Sequence, residues 1–265
     1  MFFMSRRWLI LFAILGLSAF FMSLLANLPA SLAGRWLLDR FLPGVTLEGV
    51  SGTIWEGQAL QLQYRDFQVD AVGWRIIPGE LLAGRFKGAF FFGNSDRLGG
   101  RGGLAAADAA NFRLDGIQAW FALADVAALA GEIPGVKGGA MRLDLAEAAM
   151  VNGELTVLKA TLELADLALA PPWNLEVGAF RLEAGPSPGG LRLHIRDVRS
   201  PFYVDAILQL WIQQGRFRIK GWMAAREDPD GQLTNQMRTL LGPPQKGRFP
   251  IDYAGFIPGL GGPPP

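Results

Sequence analysis

His194 is the only histidine in the chain and cysteine is absent, which removes thiol catalysis and the usual Cys/His zinc frameworks. His194 lies between Arg192 and Arg196 on the polar side of an alternating stretch. As a general base it would need a hydroxyl nucleophile and an orienting carboxylate, and the sequence places neither, so it reads as a surface histidine. Gly99-Gly100-Arg101-Gly102-Gly103 offers amides that would cradle an anion. It lacks the Gly-Lys-Ser/Thr ending and the strand–loop–helix setting of a phosphate loop, and reads as a flexible hairpin connection. Glu227-Asp228-Pro229-Asp230 is acidic but without the ligand spacing and distal Glu of a calcium loop, leaving a solvated turn with Asp230 as a helix N-cap. No catalytic, cofactor-binding or metal residues are therefore expected. Lys+Arg 25 against Asp+Glu 24 gives no excess charge for steering toward nucleic acid.

The elements that would position any site are strands. Leu60, Leu62 and Tyr64 alternate with Gln61 and Gln63, and Phe67, Val69 and Ala71 with Gln68 and Asp70. The same period returns at Leu143/Leu145, Phe180/Leu182, Leu191/Leu193/Ile195 and Phe217/Ile219, each against charged or polar neighbours. Strict alternation predicts antiparallel strands with one buried and one solvated face. Pro78-Gly79, Gly99-Gly100, Gly102-Gly103, Pro134-Gly135, Gly138-Gly139, Gly185-Pro186 and Gly189-Gly190 read as the turns of a meander. The apolar phase slips at Ala165-Asp166, which predicts a bulge or bend. Strands continue on both sides of Pro171-Pro172, favouring one extended sheet over two domains.

Eight Trp and eighteen Phe, including Phe90-Phe91-Phe92, are mostly assigned to the core. A long sheet with one apolar face and nothing wrapped over it would instead expose a groove suited to lipid or a partner strand. Short helices are predicted at 30–41, 125–130 and 231–241, the last with Leu233, Met237, Leu240 and Leu241 on one face and Gly242 after its end.

Trp8 to Leu28 carries no charge across 21 residues. As a helix it would reach about 31 Å, the thickness of a bilayer's hydrocarbon core. Arg6 and Arg7 precede it and Arg35 is the next charge beyond it, which places the N-terminus in the cytoplasm and the rest across the membrane. The competing reading is a cleaved secretory signal, whose apolar region is normally shorter.

Gly49-Val50-Ser51-Gly52-Thr53-Ile54-Trp55-Glu56-Gly57, followed by Trp74, Pro78 and Leu81, resembles the type II secretion system protein N family of the Gram-negative inner membrane. That family pairs a Gly-Thr-x-Trp-x-Gly element with a Trp-x-x-x-Pro-x-x-Leu element close after an N-terminal anchor. Trp173-Asn174-Leu175, the strand from Gly215 to Gly221, Leu240-Leu241-Gly242, and Gly247 to Gly255 with Tyr253 are similar to its later landmarks. In physical terms these positions are architectural: Gly52 and Gly57 frame a tight strand start, Thr53 and Trp55 face alternately with Trp55 filling the core, and Trp74 and Pro78 fix the next strand and its end.

The expected protein is mainly β: a single N-terminal transmembrane helix followed by an extended, twisted antiparallel β-sheet periplasmic domain with two short helices. Its divisions are a cytoplasmic N-terminus at 1–7, a transmembrane helix at 8–28, a membrane-proximal amphipathic segment at 29–44, a β-rich domain at 45–257 and a disordered tail at 258–265. The resemblance implies a non-enzymatic inner-membrane accessory component that helps export folded periplasmic proteins across the outer membrane. The expected partners are other type II secretion components and inner-membrane lipids, with no nucleic acid. An anchored periplasmic lipid-handling protein with a grooved sheet is the rival reading; an anchored hydrolase fits worst.

Overall fold

The computed structural model describes residues 6–32, 44–64, 67–93, 98–108, 110–123, 136–170 and 175–257. It begins with helix α1 (Arg6–Ala26), which carries no charge after Arg7. The strands follow as β1 (Val45–Glu48), β2 (Ser51–Gly52), β3 (Glu56–Tyr64), β4 (Phe67–Ile76), β5 (Phe86–Phe92), β6 (Leu98–Ala106), β7 (Phe112–Ala122), β8 (Val136–Val151) and β9 (Glu154–Leu169). Then come β10 (Glu176–Ser187), β11 (Gly190–Arg199), β12 (Phe202–Trp211), β13 (Arg216–Ala225) and β14 (Phe249–Phe256). Among the described residues two α-helices interrupt them, α2 (Pro78–Leu82) after β4 and α3 (Gln232–Leu241) after β13, and a 3-10 turn (Ile212–Gln214) joins β12 to β13.

All strands join one 14-stranded sheet in which each pairs antiparallel with its neighbour in the chain, except that β1 crosses β2 to pair with β3. The alternation becomes two faces. One row of register partners runs Ala119, Leu143, Leu162, Leu182, Ile195, Ala206, Gly221, Ile251. The adjacent row on the opposite face runs Gln118, Asp144, Thr161, Glu183, His194, Ile207, Lys220, Asp252. Cross-strand ion pairs such as Arg181–Glu163 at 2.9 Å and Arg218–Asp252 at 2.9 Å decorate that polar face. Each is solvent-exposed and adds little stability.

Helix α3 covers the apolar face at one end of the strand order. Met237, Phe202 and Phe249 form a buried cluster, with Leu233, Leu241, Val204 and Met223 packed around it. The side chain of Leu240 is outside the described set. Gly242 follows the helix with φ 83, and its N–H donates to the Arg238 carbonyl. The N-terminal cap is not Asp230. Gly231 takes the left-handed conformation, and the carboxylate of Asp228 accepts from the Leu233 and Thr234 N–H groups at 3.1 and 2.7 Å. The left-handed Gly231 turns the chain so that a carboxylate three residues earlier meets the helix's free donors.

The slip at Ala165-Asp166 is a bulge: Asp166 has φ 50 and the pairing with β8 shifts there. Three glycine clusters read as turns lie inside strands instead. Gly99 to Gly103 belong to β6, Gly138-Gly139 to β8 and Gly185-Pro186 to β10. The β6 glycines make room for neighbours: a Cβ on Gly99 would come within 2.5 Å of the Trp120 ring, and one on Gly100 within 2.6 Å of the Phe92 ring. Pro250 sits on the last strand opposite Trp222, one of the positions whose backbone faces away from β13, because the Ile257 N–H bonds to the Gly215 carbonyl. Its missing N–H therefore costs the ladder nothing.

The helix expected at 30–41 is seen only in its start, residues 30–32; that at 125–130 and the tail 258–265 lie outside the described residues, as does Trp173. The stretch 8–28 expected to span a membrane overlaps α1, which runs Arg6–Ala26. Among the described residues no helix is long and apolar enough to cross a membrane; the side chains of residues 6–14 are not in that set.

Candidate functional site: a helix-to-sheet junction

The hairpin from β2 to β3 is built by Gly52 and Gly57, which pair with each other across it. Gly52 has φ 85, and a Cβ there would lie 2.5 Å from the Glu56 carbonyl oxygen, so both conformation and space demand glycine. Thr53 closes the turn: its N–H donates to the Glu56 carbonyl at 2.8 Å, and its hydroxyl accepts from the Glu56 N–H at 3.1 Å.

The tip of this hairpin grips the end of α1. The Trp55 indole Nε1 donates to the Leu25 carbonyl at 2.8 Å, the Ile54 N–H donates to the Leu28 carbonyl at 3.0 Å, and Pro29 bridges to Thr53. The last carbonyls of a helix have no partner within it, and the hairpin supplies partners for two groups at this end. Ala30, just beyond, is buried.

Trp74 holds the hairpin from below. Its indole Nε1 donates to the Ile54 carbonyl at 3.1 Å and its ring lies over Gly57, while the Ile76 N–H bonds to the Trp55 carbonyl. The backbone polar groups of residues 53–56 named here thus all find partners in the hairpin, β4 or α1. Glu56 pairs with Arg75, and that hydrogen bond, with the attraction of the two charges, raises the guanidinium pKa above its usual value. Pro78 starts α2 directly after β4 at the helix position that tolerates a missing N–H, and Leu81 is exposed on its last turn.

The structure thus brings Gly52, Thr53, Trp55, Gly57 and Trp74 together, with Pro78 and Leu81 following on α2. The remaining predicted positions sit at the far end of the strand order. Gly215 turns β12 into β13 with φ 59. Gly221 lets β13 approach Ala206, where a Cβ would collide with the backbone of Asp205 and Ala206. Gly242 ends α3, Gly247 with φ 77 turns the chain into β14, and Gly255 lies beneath the Phe217 ring, which is 5.7 Å from that of Tyr253. Trp55 is half-buried and spends its polar end on α1, so its role is more than filling the core. Sequence reasoning missed Leu25, Leu28 and Ile54, which act through backbone groups and carry no side-chain signal.

The chemical candidates do not assemble. His194 Nε2 is 2.7 Å from Asp205 Oδ1, so a carboxylate is present, but no Ser or Thr hydroxyl bonds the imidazole among the described residues. Asp228 is committed to capping α3, and among the described residues no cluster of His, Asp and Glu could hold a metal ion.

The geometry is that of an apolar helix fastened to the first hairpin of a single antiparallel meander. Residues 43–252 match the family described as Type II secretion system (T2SS), protein N, and the chain belongs to that family. It is 28% identical over 256 residues to the type II secretion system protein N of Aeromonas hydrophila, covering 94% of this chain and 98% of that one. It is 22% identical over 242 residues to the protein N of Vibrio cholerae serotype O1, covering 89% and 93%. No solved structure gives a significant match.

Proposed function

We propose that this chain is an inner-membrane-anchored scaffold of the type II secretion machine, with α1 as the anchor, residues 1–7 in the cytoplasm and the sheet in the periplasm. One observation carries the reading. Leu15, Leu17, Phe20, Phe21, Met22, Leu24 and Leu25 are each more than half exposed, and at helical spacing they spread around most of α1, the remaining strip carrying the small residues Gly16, Ala19, Ser23 and Ala26. A helix apolar around most of its surface is at home in hydrocarbon and costly in water. Its end is tied to the sheet, so the anchor would set the position of everything after it. Family membership supplies the machine. The role is one of contact surfaces, without catalysis, and the partners are other secretion components and membrane lipid. An alkaline phosphatase fused after Tyr253 should be active and one fused after Arg7 inactive. A soluble, shortened product after carbonate washing would establish a cleaved signal instead.

The apolar face favours a second reading. Of its residues, Leu143, Leu162, Leu193, Ile195, Leu208 and Ile219 are only half-buried, and α3 covers the β12–β14 end alone among the described helices. A lipid-handling protein would use such a floor. Deleting its gene would alter outer-membrane permeability and leave secretion intact.

A further inference from the structure

The polar face carries a depression beside the junction. Its cause is legible in the register. One row runs Gln58, Gly73, Phe91, Arg101 and the next runs Glu56, Arg75, Ala89, Gly103. The Phe91 ring lies over Gly73, and Ala89 beside it contributes little side chain, so a cleft of about 650 Å³ opens with Ala89, Phe91, Arg75 and Arg101 in its lining. The two cations are held from opposite sides. Arg75 is drawn outward by Glu56, and Arg101 donates through Nε and a terminal nitrogen to Gln118 Oε1 at 3.0 and 2.7 Å. Gln118 is neutral, so the charge of Arg101 is not cancelled by that partner. Two guanidinium groups against one carboxylate leave the lining with one net positive charge.

The hairpin that lines this cleft through Ser51, Gly52 and Gln58 is the hairpin that holds Leu25 and Leu28. The cleft therefore stands within one hairpin of the point where α1 ends. We propose that it binds the headgroup of an anionic phospholipid from the leaflet that α1 leaves. The phosphodiester meets Arg101 and Arg75, whose planar donors suit phosphate oxygens, and the glycerol end lies against Phe91 and Ala89. This rests on the anchor reading for the lipid's source, and on the cleft alone for its chemistry.

The test uses the full chain in a neutral detergent, titrated with short-chain phosphatidylglycerol, short-chain phosphatidylcholine and free glycerol phosphate. Phosphatidylglycerol should bind in preference to both. Arg101→Gln should weaken it about fivefold, the usual effect of one basic residue at an anionic lipid surface. Ala89→Leu, which fills the floor and leaves every charge in place, should weaken it as well, with the melting temperature of each variant showing that the sheet is intact. Equal binding of phosphatidylcholine, indifference to both substitutions, or competition by glycerol phosphate as effective as that of the lipid would each overturn the proposal. Flotation of the same protein with vesicles reports separately on α1. Flotation without headgroup preference sinks the cleft and spares the anchor, while preference without flotation does the reverse.

Discussion

The indole nitrogen of Trp55 hydrogen-bonds the backbone carbonyl of Leu25 at 2.8 Å, joining the first hairpin of the sheet to a helix thirty residues earlier in the chain. A Gly-Thr-x-Trp-x-Gly element thereby acquires a physical meaning. The glycines allow the turn, Thr53 closes it, and Trp55 reaches across to the helix end.

Trp55→Phe keeps an aromatic ring and removes the donor. The expected cost is about 0.5–1.5 kcal/mol, that of one hydrogen bond, and not the ~3–5 kcal/mol of deleting a buried large aromatic. Hydrogen exchange should locate the loss at the Ile54 amide, whose bond to Leu28 belongs to the same contact. A global loss of several kcal/mol would make Trp55 a core residue after all.

Met237 is 3% exposed between Phe202 and Phe249. Met237→Ala should cost about 2–5 kcal/mol by leaving a cavity beneath α3. Denaturant unfolding of the variant measures it, and a cost near zero would show that α3 does not depend on this packing.

Asp228 has a carboxyl pKa held below its ordinary value, chiefly by the side-chain hydrogen bond with Thr234; desolvation opposes this, and backbone N–H donors of the helix start add to the lowering. The sign follows from linkage. A depressed folded-state pKa contributes stability that is present above the unfolded value of about 3.9 and disappears as pH falls through the lower folded value. The melting temperatures of wild type and Asp228→Ala should differ at neutral pH and converge below about pH 4. A constant difference across that range would show that the charge on Asp228 plays no part in the cap.

Much of the sheet was legible because alternation is local. Leu191/Leu193/Ile195 fall in β11 and Phe217/Ile219 in β13, and the phase slip marked the bulge at Asp166. The β8–β9 turn was equally legible and went unread: Asn152-Gly153, with φ 54 and 77, is the common two-residue hairpin pair. The glycines of β6 misled because their reason is on other strands, in the rings of Trp120 and Phe92 that cover them. The junction was half legible. Its glycines, Thr53 and its tryptophans stand in one motif, but the helix groups they meet are backbone carbonyls, which any sequence would supply.

The most direct test of the central claim is secretion in a strain lacking this gene. Enzymes normally released outside the cell should accumulate in the periplasm. The full chain and His194→Ala should restore release, and residues 29–265 delivered to the periplasm without α1 should not. Normal secretion in the deletion strain, together with an altered outer-membrane permeability barrier, would contradict it.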